Sequence, residues 1–225
     1  MSSSKFKGMK FHTDERAKLI ADDLKHAVTI PVNIDLGAQH RVYDLSEIKE
    51  ILEKSERYAV SDCGCKNRLG NCDSPRDVCL SINYYADEVL ESGEYGSKEV
   101  SLDEALEVLQ RSHEAGLVHM AYTMKGGEAP FLICSCCPCC CHTLGSLVRN
   151  GIHTEVLTSK YIAQDNQGLC NDCGDCVERC AFQARELVDG SIAYDNSKCF
   201  GCGLCVSRCP TDAISLTPRD SAPAH

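Results

Sequence analysis

Eighteen cysteines occur in 225 residues, and eight of them follow one spacing written twice: Cys170, Cys173, Cys176 and Cys180, then Cys199, Cys202, Cys205 and Cys209, with Pro210 after them. Nothing else in the chain limits its fold so tightly. Three cysteines at steps of three let one short loop wrap a compact inorganic core, while the fourth, four positions on, points away from its own loop. Two such runs therefore exchange their fourth ligands. On that pattern one set is Cys170, Cys173, Cys176 and Cys209, and the other is Cys199, Cys202, Cys205 and Cys180. A pair of zinc ribbons or a disulfide framework is the competing explanation. Zinc sites usually use two C-x2-C pairs separated by a longer finger, whereas equal steps repeated twice fit two [4Fe-4S] clusters.

The residues around the runs agree. Ala184 to Val188 and Ile192 to Asp195 flank Asp189-Gly190, a two-residue hairpin signal. Pro210 suits the first position of a short helix after Cys209, and Ala181 takes the corresponding place in the first run. With these motifs, residues 156 to 218 resemble the bacterial two-cluster ferredoxin family. The resemblance implies a ferredoxin-like domain with two [4Fe-4S] clusters held by the eight cysteines, and a role in one-electron transport. The one departure is the proline missing at Ala181, where the residue sets backbone shape and carries no chemistry.

The first 155 residues hold the other ten cysteines. Helices are expected where Asp14 caps a face of Ala17, Ile20, Leu24 and Ala27 ahead of Pro31, from about Leu45 to Lys54, and after the Ser101/Glu104 capping box, with Gly116 as the stop. The cysteines come in two groups. Cys63, Cys65, Cys72 and Cys79 lie in a segment broken by Gly64, Gly70, Asn71 and Pro75. Cys134, Cys136, Cys137, Cys139, Cys140 and Cys141 surround Pro138 and precede His142. Ser74-Pro75 reads as a helix start that places Cys79 in an early turn of a helix reaching Leu90, and Pro138 as the start of another through Val148. If the second helix begins early, Cys136 pairs with Cys140 and Cys137 with Cys141 on its faces. Thiolates at helix starts gain from the dipole and free amides, which suits an electron-rich cluster.

All ten are metal-ligand candidates, and at least one further iron–sulfur cluster is expected from both groups. A single zinc site uses only four thiols and leaves six without a role. The cysteine doublets are loosely similar to the cysteine-rich domain of heterodisulfide reductase, but Pro138 and His142 stand where that family has glycine. His119 and His142 are weaker candidates, as ligands or proton carriers. No nucleotide loop is present.

Eighteen cysteines without a secretory leader at Met1 to Phe11 point to a reducing cytoplasm. No apolar run reaches membrane length. The net charge of −10 argues against a nucleic-acid partner and for a redox protein with a basic docking patch.

The expected architecture is α+β: an α-rich, cysteine-dense domain over 1–155, a two-cluster ferredoxin-like domain over 156–218, and a flexible tail at 219–225. The first expectation for function is iron–sulfur electron transfer. The alternatives are a reductase, or an oxidoreductase subunit, with a substrate-binding N-terminal cluster, and a redox or metal sensor.

Overall fold

The computed structural model describes residues 38–124, 129–150 and 156–219. The helix expected over Asp14 to Ala27 and all but the first residue of the expected tail lie outside these segments.

Seven strands form one sheet: β1 (Ala38–Tyr43), β2 (Tyr58–Asp62), β3 (Asp77–Ile82), β4 (Lys98–Val100), β5 (Val118–Met124), β6 (Pro130–Cys136) and β7 (Val156–Leu157), in the order β4-β2-β3-β6-β5-β1-β7. Every neighbouring pair is antiparallel except β1 and β7. Between them run helices α1 (Leu45–Glu53), α2 (Gly64–Leu69), α3 (Tyr84–Ser92), α4 (Leu102–Glu114) and α5 (His142–Asn150).

Helices α1 and α4 form where the sequence places them, each with a capping box at its start. The Asp44 carboxylate accepts from the amides of Ser46 and Glu47 while Glu47 accepts from the Asp44 amide, and Ser101 and Glu104 repeat the arrangement for α4. A sheet nevertheless organises this half of the chain, in place of the α-rich domain expected. In β3, Val78, Leu80 and Ile82 alternate with Cys79 and Ser81, so this segment is a strand of period two and the helix after it begins only at Tyr84. Cys134 and Cys136 likewise sit on β6, and the next helix starts at His142, four residues past Pro138.

Alternation sorts the sheet into two faces. On one, Ile48 and Leu52 of α1 and Ala105 and Leu109 of α4 bury against Leu80, Ile82, Ala121 and Ile133. On the other, Val42, Val118, Met120 and Cys136 meet Leu144 and Leu147 of α5. At roughly 1.5–3 kcal/mol for each fully buried aliphatic side chain, these two layers hold the sheet together.

The rest of the chain closes onto that second face. Strand β8 (Tyr161–Asp165) is followed by the short helix α6 (Asp175–Arg179), a hairpin of β9 (Arg185–Val188) and β10 (Ser191–Tyr194), and finally β11 (Ile214–Pro218), which pairs antiparallel with β8. The hairpin turns at Asp189 (φ 50°) and Gly190 (φ 83°), the double positive φ of a type I′ turn. Pro210 begins a turn and no helix follows it. Ala181, Phe182 and Leu204 join Val118, Met120 and Leu144 in one apolar cluster, so the core crosses position 155 without a break.

Candidate metal centres

Strand register builds the first centre. Cys79 on β3 lies directly opposite Cys134 on β6, with their sulfurs 3.9 Å apart, and Cys136 follows two residues on along the same face. Cys63 and Cys65 come from the start of α2, and Cys141 from the start of α5, where its sulfur accepts from the Leu144 amide at 3.4 Å. These six thiols form a closed ring of neighbours running Cys63, Cys65, Cys141, Cys136, Cys134, Cys79 and back to Cys63, each influencing the titration of the two beside it. The hydrogen bond to the next thiol is the largest cause, ahead of burial, that pushes Cys63, Cys65, Cys136 and Cys141 above the ordinary thiol range. Thiols grouped in this way are candidate ligands, since a bound cation would displace their protons. The ring borders a cavity of about 410 Å³ that is also walled by Arg68, Tyr85, Glu94 and Tyr95. His142 Nδ1 approaches Cys65 Sγ at 3.2 Å.

The second centre takes the other four N-terminal cysteines. Cys72, Cys137, Cys139 and Cys140 place their sulfurs within 4.8 Å of one another. Burial pulls the Cys72 thiol up, but hydrogen bonds from the Ser74 hydroxyl and amide and from Cys139 and Cys137 outweigh it and bring Cys72 to about 7. Burial raises Cys140 to about 12. The helical pairing expected from sequence, Cys136 with Cys140 and Cys137 with Cys141, does not occur. Cys136 ends a strand, so it and Cys141 face the ring while Cys137 and Cys140 face Cys72.

The C-terminal cysteines surround two small cavities of about 20 Å³ each, one bordered by Cys170, Cys173, Cys176 and Cys209 and the other by Cys180, Cys199, Cys202 and Cys205. In each group three cysteines come from one run and the fourth from the other. Backbone amides point at the fourth sulfurs: Ala184 donates to Cys180 and Ala213 to Cys209, both at 3.2 Å. Burial raises the Cys209 thiol, yet the amides of Thr211, Ala213 and Ile214 and the Thr211 hydroxyl hold it below its usual range. Amide donors of this kind stabilise sulfur that carries negative charge.

Two buried cations complete the electrostatics, and the sequence disclosed neither position. Arg185 is 4% exposed, forms a two-pronged ion pair with Asp165 at 2.6 and 2.7 Å, lies over the Tyr194 ring, and hydrogen-bonds toward Cys176 of one group and Cys205 of the other. Its place at the head of a strand gave no hint of this, since only the tertiary fold brings it between the cavities. Lys66 is 2% exposed and donates to the Ser135 carbonyl at 2.9 Å. Its ammonium draws down Cys63 and Cys79 in the ring and Cys137 in the four-thiol group.

His119 stands apart from every cysteine group. It is fully buried within the sheet, contacts the Ser135 hydroxyl at 3.1 Å and stacks on His113, which reaches Ser207 at 2.8 Å.

Phe182 and Phe200 stack with ring centroids 4.4 Å apart, and they share one apolar cluster with Cys180, Cys202, Cys136 and Cys141. No helix among the described residues is long and apolar enough to cross a membrane. A comparison with curated proteins finds no match. The family model described as a 4Fe-4S binding domain matches residues 192–215, which include Cys199, Cys202, Cys205 and Cys209, so the chain carries a 4Fe-4S binding domain there and a site for at least one such cluster.

Proposed function

We propose that this chain is an iron–sulfur electron carrier that accepts single electrons at its C-terminal part and delivers them inward to an iron–sulfur centre in the six-thiol ring. Cys170, Cys173, Cys176 and Cys209 would hold an outer [4Fe-4S] cluster, and Cys180, Cys199, Cys202 and Cys205 an inner one. The third centre would draw on Cys63, Cys65, Cys79, Cys134, Cys136 and Cys141. Clusters bound at these positions supply one-electron oxidation and reduction.

The observation that carries the reading is the shared core. Cys180 and Cys202, with Ala181, Phe182 and Leu204, belong to the same apolar cluster as Cys136 and Cys141, which supports an inner site close to the ring. Packed side chains hold that spacing constant, because a close-packed interior has two or a few arrangements and no continuum of them. On this view residues 1–155 and 156–218 differ in ligand chemistry and share one hydrophobic core. The cation Arg185 serves both C-terminal groups, and Lys66 serves the ring. The outer site is the docking end: Cys173 is exposed, as are Leu169, Leu187 and Val188. A charge of −10 suits a partner with a basic patch. Eighteen cysteines fit a reducing compartment such as the cytoplasm.

Iron and sulfide analysis with electron paramagnetic resonance on anaerobically purified protein tests this. More than the roughly eight irons and eight sulfides of two [4Fe-4S] clusters is expected. Cys180→Ala should alter the signal of the cluster ligated by Cys199, Cys202 and Cys205. Iron confined to two clusters, or a Cys180 that serves the same cluster as Cys170, would sink the proposal.

The cavity supports a second reading, a reductase with substrate at the ring. It is some twenty times larger than either C-terminal cavity, 410 against 20 Å³, and Arg68 and Glu94 offer polar contacts. A small molecule that shifts only the N-terminal signal would favour it.

A further inference from the structure

The four-thiol group has a geometry unlike that of a cubane. Three of its six sulfur separations are 3.7 Å for Cys72 to Cys137, 3.8 Å for Cys72 to Cys140 and 3.9 Å for Cys139 to Cys140, and none exceeds 4.8 Å. A single tetrahedral ion with metal–sulfur bonds of about 2.3 Å places its ligand sulfurs ~3.8 Å apart, since the edge of a tetrahedron is about 1.63 times its centre-to-corner distance. A [4Fe-4S] core interposes four irons and four sulfides, and its terminal thiolates must stand farther apart. Three separations at one-ion spacing and the rest within 4.8 Å match the first arrangement. All four are also remote from solvent, three buried and Cys72 half-buried, as in a closed site with no position left open for water or substrate.

The surroundings hold that geometry. Asn71 donates to the Cys139 carbonyl at 2.8 Å, which ties the loop after α2 to the turn before α5. Within the turn, the Cys140 and Cys141 amides both donate to the Cys137 carbonyl, at 3.3 and 2.9 Å. Four thiolates and a divalent ion leave two negative charges, and the buried Lys66 ammonium acts on Cys137 to offset part of them.

We propose that Cys72, Cys137, Cys139 and Cys140 bind one zinc ion in a closed, redox-inactive site, distinct from every iron–sulfur centre of the chain. The ion clamps the loop after α2 to the β6–α5 turn. Because Cys136 and Cys141 flank the clamped residues, and Cys140 also borders the ring cavity, the clamp positions one wall of the six-thiol ring. This claim stands whether or not the ring holds iron.

The test is metal analysis and zinc-edge X-ray absorption on the full chain, purified anaerobically from cells supplied with both iron and zinc. The edge is element-specific, so iron elsewhere does not interfere. One zinc per chain with four sulfur neighbours at about 2.3 Å is expected. Cys139→Ser should lose that zinc and keep the wild-type number of irons and sulfides in the C-terminal sites. Should Cys139→Ser fail to fold, Cys72→His supplies a nitrogen ligand that zinc accepts, and the expected spectrum becomes three sulfurs and one nitrogen. Absence of zinc, zinc bound by oxygen, or iron at these four cysteines with or without sulfide would overturn the assignment.

Discussion

Arg185 links charge balance and stability in one side chain. Burial alone would pull its charge away, but the Asp165 carboxylate, 12% exposed, and the thiols of Cys205 and Cys176 hold it. Arg185→Leu leaves that carboxylate buried without a partner, and loss of one member of a buried pair typically costs about 3–5 kcal/mol. We expect a loss of that size in denaturant unfolding of the anaerobic protein, together with lower reduction potentials at both C-terminal sites, because a nearby cation favours the more negative, reduced state. Unchanged potentials would show that the guanidinium is structural only. His119 gives a pH dependence. Burial, with the neighbouring His113 adding to it, pushes His119 down to about 3, whereas an unfolded histidine titrates near 6.5. Between those values the unfolded chain binds the extra proton, so stability is present above about pH 6.5 and is lost as pH falls toward 3. His119→Gln should flatten the stability profile in that window, by at most about 1.4 kcal/mol per pH unit. An unaltered slope would refute the assignment.

Elements differ in how openly the sequence announces them. Helix α1 was legible from its apolar spacing, with Ile48 and Leu52 inward, and α4 from the local capping chemistry of Ser101 and Glu104. Strands β3 and β6 were not, because Cys79 in β3 and Cys134 and Cys136 in β6 read as ligand spacing and hide the period of two. Ser74-Pro75 then suggested a helix where Cys79 lies extended. The C-terminal groups were legible for the opposite reason: each is made by loops whose geometry the spacing dictates. The ring depends on register between strands more than fifty residues apart, Cys79 against Cys134, which no local pattern encodes. Close approach between elements yields a further expectation. A Cβ on Gly145 would lie 2.7 Å from the Pro138 carbonyl oxygen, so α5 packs on the cysteine turn with no space for a methyl group. Gly145→Ala should push the turn outward and lower metal content at the N-terminal centres while the C-terminal spectrum persists. Gly201→Ala should do the reverse, since its Cβ would overlap the Tyr161 carbonyl oxygen and its φ is 75°. Equal loss at all centres in either variant would mean that the fold collapses as a whole.

At the scale of the molecule, charge and enclosure govern behaviour. If an acidic carrier docks on a basic partner, the rate of electron exchange should fall between 0.01 and 0.1 M salt, as the screening length shrinks from about 30 to about 10 Å. A flat response in stopped-flow measurements would indicate a permanent complex. The wide cavity at the ring has a separate consequence, for how the protein meets air. An opening of about 410 Å³ also offers dioxygen more room than the C-terminal cavities of about 20 Å³. Brief exposure to air should therefore bleach the N-terminal signal before the C-terminal ones. Simultaneous bleaching of every signal would show that the wide opening gives oxygen no preferred path.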